Sequence, residues 1–235
     1  MRQAISVFIA AGLITGSCAA LAYVVRKLLR REPLVPFVER DDLDPGGVLS
    51  WIRLAVAAQR GETPQPILAW DAKQFWSDVC LGTVAFFAAF LPVILVHAFL
   101  QQFVEYEHPV IKELQSNRSL GLFLRLAVVT VLFAPLLEEL LFRNLLQGML
   151  EVSERLIVRR LGADQRWIFG SVPIFLSSLA FATAHWDQGA APAPLLLFAL
   201  VLGYLYFQTH RLTPSVIAHS LLNGFTMLQL WFLET

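Results

Sequence analysis

The sequence predicts an all-α fold: a polytopic transmembrane helical bundle of about six spans with interfacial helices between them. Three observations predict it. Of 235 residues, 57% are apolar and only 15% carry charge, where a soluble domain has roughly a quarter charged residues. Six apolar stretches reach or approach the ~20 residues that cross ~30 Å of hydrocarbon at 1.5 Å per residue. The 18 basic and 18 acidic residues cancel, so there is no basic stripe of the kind that phosphate neutralisation requires, which argues against nucleic acid as a partner.

The six stretches run over residues 4–25, 76–100, 119–141, 167–184, 194–209 and 214–232. Each should be helical, because in lipid every backbone N–H and C=O must be satisfied within its own segment. The first could instead be a cleaved signal peptide, given Arg2 and the small residues at 20–22. The basic run Arg26, Lys27, Arg30 and Arg31 that follows reads as a stop-transfer flank, and a retained span is expected. With the first loop inside, 14 of the 18 basic residues fall on the inner side, against Arg2, Lys112 and Arg118 outside and Arg125 within a span. Both termini are then expected to point outward.

Two domains are expected: residues 1–74, a membrane anchor with a cytoplasmic or interfacial linker, and residues 75–235, a helical membrane domain. The linker holds the turn Asp44-Pro45-Gly46-Gly47, a candidate helix over 49–59, and Trp51 and Trp70, which with Trp76 suit the headgroup belt. Residues 151–166 place Val152, Leu156, Ile157 and Leu161 among Glu and Arg at helical spacing, which predicts an amphipathic helix on the inner surface. Cys18 and Cys80 lie in apolar runs and are expected to be buried free thiols.

Carboxylates in apolar spans are costly and usually face a cavity where they do something. The third stretch carries two in a row, in the order Glu138-Glu139-x-x-x-Arg143. Glu139 and Arg143 are i and i+4 neighbours, so they can pair on one helix face. Glu138 points about 100° away and is left to meet water and a partner from another span. Phe181-x-x-x-His185 closes the fourth stretch, with Phe181 stacked under His185, and His219-x-x-x-Asn223 lies in the sixth, its two side chains on one face. A glutamate near a histidine can deprotonate water for attack on a carbonyl. An imidazole and an amide on one face can hold a developing oxyanion. His97, one turn from Gln101, reads as a hydrogen-bond link between helices, whereas His108 and His210 flank spans and should be solvated.

These three motifs, in this order and within apolar spans, resemble the CAAX protease and bacteriocin-processing (CPBP) family of membrane proteases, related to the type II CAAX prenyl endopeptidases. The resemblance covers about residues 120–228. It implies a metal-independent and cofactor-free glutamate protease within an all-helical bundle in the membrane. Glu138 and His185 would activate the water, and His219 and Asn223 would stabilise the oxyanion. Glu139, Arg143 and Phe181 would support the site. The implied substrate is a membrane-associated peptide or protein, with the cell membrane as the expected location.

Two other readings compete. Two histidines and a glutamate make a plausible open zinc site, although the sequence lacks H-E-x-x-H, and it has neither a G-x-S-G motif nor an aspartate pair in its spans. A non-catalytic adaptor or immunity protein could use the same scaffold. Simple alternating spans would also leave Glu138 and His185 about 20 Å apart in depth. Their meeting requires the third helix to run on to about residue 150 and tilt, with the fourth starting below the membrane and bending near Pro173.

Overall fold

The computed structural model describes residues 2–35, 72–104, 109–116, 119–161 and 170–232, and all the regular structure among them is helical. Helix α1 (Arg2–Leu29) packs along α2 (Ala72–Leu100). A short α3 (Pro109–Ser116) precedes α4, which is helical without interruption from 120 to 161. Then come α5 (Ser171–Thr183), α6 (Pro192–Thr209) and α7 (Leu212–Phe232).

Among the described residues, four helices, not six, are long and apolar enough to cross a membrane: Ile9–Leu29, Ala72–Leu100, Leu120–Val158 and Pro192–Thr209. The fourth expected span shrinks to α5, whose 13 residues reach only about 20 Å. The sixth, α7, is diluted by Ser215, His219, Ser220, Asn223, Thr226 and Gln229. The third expected span and the expected surface helix after it are one element. Pro173 sits in the first turn of α5, where a missing N–H costs nothing, so it marks a start and not a bend. The candidate helix over 49–59, Trp51, Trp70 and His108 lie outside the described residues.

The core explains this arrangement. Phe86, Phe90 and Val93 of α2 interdigitate with Phe198, Leu202 and Leu205 of α6 and with Ala218 and Leu222 of α7. Phe90 meets Phe225 edge to face, with centroids 4.8 Å apart. Helices α2 and α7 touch at Gly82, where a Cβ would run into Pro214 O and Ile217. Without a hydrophobic drive between helices in lipid, such close backbone approach supplies the packing. At the opposite rim, Leu114 of α3, Leu122 of α4 and Met227 of α7 form a second cluster.

The ends are fixed by polar contacts. Ser119 caps α4 by accepting a hydrogen bond from Leu122 N at 3.2 Å. Gly170 starts α5 at φ 83° and donates its N–H to Glu154 Oε2 at 2.7 Å, tying α5 to α4. Arg211 forks onto Asp78 at 2.7–3.0 Å, joining two helix ends that the basic-residue count assigns to the same side. Cys18 and Cys80 are free, but they are exposed, contrary to expectation, because apolar faces of α1 and α2 are turned outward as a lipid environment permits.

Candidate active site

The site is built on an irregular stretch of α4. Proline at 135 would clash with the carbonyl four residues back in a regular helix. The turn before it, Val129–Phe133, is π-helical, and Ala134 N–H reaches back five residues to Val129 O. In that register the donor for Thr130 O would be the N–H that Pro135 lacks. Asn223 Nδ2 of α7 supplies it, at 2.9 Å. A second π-helical segment, Leu140–Gln147, follows Glu139. Such segments are common at functional sites. Glu138 falls between the two, about 27 Å along α4 from its start.

Glu139 is fully buried and holds two partners: Arg143 Nε at 3.1 Å and His219 Nδ1 at 3.0 Å. A carboxylate only accepts, so His219 donates from Nδ1. Its other nitrogen, Nε2, lies 3.5 Å from Glu138 Oε2. The imidazole therefore stands between the two adjacent glutamates. Neighbouring positions on one helix reach opposite edges of the same ring, as the expected 100° divergence allows.

His185 lies in the turn just past α5, where its Nδ1 is 2.8 Å from Phe181 O. That carbonyl is one of the orphan acceptors at the helix end, so Nδ1 carries the proton and Nε2 of the neutral ring is left as an acceptor. Phe181 is fully buried and organises the neighbourhood. Its ring lies 4.8 Å from His185, 5.6 Å from His219, 5.2 Å from Phe142 and 5.5 Å from the Arg143 guanidinium. The Arg143 contact is with a ring face, which partly offsets the burial of two terminal nitrogens that have no hydrogen-bond acceptor among the described residues.

Glu138, His185, His219 and Asn223 line one pocket of about 180 Å³, with Thr130, Phe181 and Thr226 among its other walls. The structure thus brings together all four residues singled out from the sequence, with Phe181 in the same wall and the Glu139–Arg143 pair held against His219. Helix α4 runs on past residue 150, as the meeting of Glu138 and His185 requires, and both line the same pocket. Among the described residues, no group of three His, Cys, Asp or Glu side chains is placed to hold a metal.

Residues 120–225 match the family model described as Type II CAAX prenyl endopeptidase Rce1-like. This segment is similar to that family. It is a protease family, and the match starts at α4 and ends two residues beyond Asn223. No curated protein and no solved structure matches the chain.

The same segment also contains a polar network that sequence reasoning missed. Gln147, fully buried, donates to Glu151 Oε1 at 3.0 Å and to Gly203 O at 2.9 Å, and accepts from Ser177 at 3.2 Å. It ties α4 to both α5 and α6. Glu151, expected on a surface helix, is buried, with Oε2 3.7 Å from Nδ1 of His210. The side chain of His210, expected in solvent, is only 8% exposed, in a left-handed turn (φ 51°) that closes α6. The signal was in the spacing: Glu139, Arg143, Gln147 and Glu151 recur every four residues. In a regular helix each such step drifts about 40°, and the wider π-helical turns hold the series to one buried face.

Proposed function

We propose that the protein is an intramembrane endopeptidase of the glutamate type, hydrolysing a peptide bond in a membrane-associated protein or peptide of the cell membrane. The observation that carries this reading is the convergence of Glu138, His185, His219 and Asn223, from α4, α7 and the turn after α5, on one pocket in an apolar bundle.

The chemistry follows from the hydrogen-bond inventory. His219 donates from Nδ1 to Glu139, so an attractive contact between its Nε2 and Glu138 needs one shared proton. With that proton on His219, Glu138 is an anionic base. A water between Glu138 and the acceptor Nε2 of His185 loses its proton to Glu138 as it attacks the carbonyl carbon. The tetrahedral oxyanion then takes hydrogen bonds from His219 Nε2–H and from the amide proton of Asn223 that Thr130 O does not use. Collapse passes the proton from Glu138 to the leaving amine. Glu139, held by Arg143, keeps the His219 ring oriented throughout.

Two experiments test this reading. Membrane peptides are compared in cells carrying wild type or Glu138→Gln, and intact substrates should accumulate in the variant. Purified protein is assayed in strong chelator, where cleavage should persist. Loss on chelation with recovery on adding zinc would replace the glutamate mechanism with the metal reading. Full biological function of Glu138→Gln would favour an adaptor on the same scaffold.

A further inference from the structure

Helices α1, α2 and α6 enclose a cleft of about 870 Å³ that the proposed chemistry does not use. Among the described residues, its walls are almost wholly apolar and come from these three helices and Leu34–Val35, with none from α4, α5 or α7. Along α2 the lining runs from Cys80 to Pro92, about 18 Å at 1.5 Å per residue. That is close to one leaflet's share of ~30 Å of hydrocarbon.

The mouth of this cleft is basic. Tyr23 and Val24 line it, and Arg26, Lys27, Arg30 and Arg31 follow directly, with Glu32 3.9 Å from Arg30. The turn that carries these charges joins two segments that line the cleft, Tyr23–Val24 and Leu34–Val35. Glu32 N bonds Lys27 O at 2.9 Å and Arg31 N bonds Leu28 O at 3.0 Å, the paired bonds of a helix end whose next residue is left-handed. That residue is Arg31, at φ 56°, a position that favours glycine. Lys27 lies over the Tyr23 ring and donates to Pro33 O at 3.0 Å, folding Leu34 and Val35 back onto the cleft.

We infer that the cleft between α1, α2 and α6 binds one anionic glycerophospholipid, an acyl chain along α2 and the phosphate against Arg26, Arg30 and Arg31. An apolar slot of leaflet length fits the chain. A cationic rim on the side where basic residues accumulate fits the phosphate. An arginine kept where glycine would be less strained is accounted for by its charge. The inference does not rest on the protease reading.

The test uses the full chain reconstituted in vesicles of equal phosphatidylglycerol and phosphatidylcholine, extracted gently and weighed with its retained lipid by native mass spectrometry. Wild type should retain phosphatidylglycerol preferentially. Arg31→Gly, which relieves the left-handed strain, should keep its unfolding temperature and lose about fivefold of that preference. Arg26→Gln with Arg30→Gln and Arg31→Gly should abolish the preference, and Ala88→Phe, which fills the slot, should lose both lipids. Equal retention of the two lipids by wild type, or an undiminished preference in the triple variant, overturns the inference. Displacement of the lipid by soluble glycerol phosphate overturns the acyl-chain slot.

Discussion

Nδ1 of His219 lies 3.0 Å from Oε1 of Glu139, a contact between side chains 80 positions apart, in which neither partner is more than 3% exposed. It gives the second glutamate a job that its pairing with Arg143 does not exhaust. Glu139 stands between a guanidinium and an imidazole, and so sets the position of the ring that reaches Glu138.

Glu139→Gln should therefore be mainly a stability defect. It removes the buried charge that compensates Arg143, a loss of about 3–5 kcal/mol for a broken buried pair. Thermal unfolding in detergent should show a large drop. An unfolding temperature equal to wild type would mean that Arg143 has another counter-charge.

Asn223→Ala separates two roles of one amide. Losing the bond to Thr130 O should cost about 1 kcal/mol of stability, whereas losing an oxyanion donor should lower kcat about 10²–10³-fold. The check is kcat beside the unfolding midpoint. A rate loss no larger than the stability loss explains would leave Asn223 as the partner of an orphaned carbonyl and nothing more.

Gln147→Leu should loosen α4 from α5 and α6. It leaves Ser177, Gly203 O and Glu151 without that partner, at about 1–3 kcal/mol for each group that stays buried and unsatisfied. The expected result is a lower unfolding temperature with Glu138 and His219 still present but less well held, read as a fall in kcat at unchanged KM. Unaltered unfolding and rate would show that the network is dispensable.

The class of fold was legible because lipid imposes it: apolar runs of spanning length can only be helices. The span count was not, since length and polarity trade off locally. His219 and Asn223 lower the apolarity of α7, and α5 stops short at the turn that carries His185. The grouping of Glu138, His185, His219 and Asn223 could be anticipated from order and spacing within three apolar stretches. The contact between Glu139 and His219 could not, because spacing along one helix does not say which face of another it will meet. Nor was the second role of Asn223 visible, although its cause was present in Pro135, whose missing N–H leaves an acceptor that some side chain has to satisfy. Glu151 and His210 were placed in water because each looked like a flank, and it is the π-helical winding that turns Glu151 inward.

The most direct test of the central claim is peptide hydrolysis by purified Glu138→Gln measured beside its thermal unfolding. Glu138 is only partly buried and is not the partner of Arg143 in an ion pair, so the variant should unfold at the wild-type temperature with cleavage abolished. Wild-type cleavage by a folded Glu138→Gln would contradict the account.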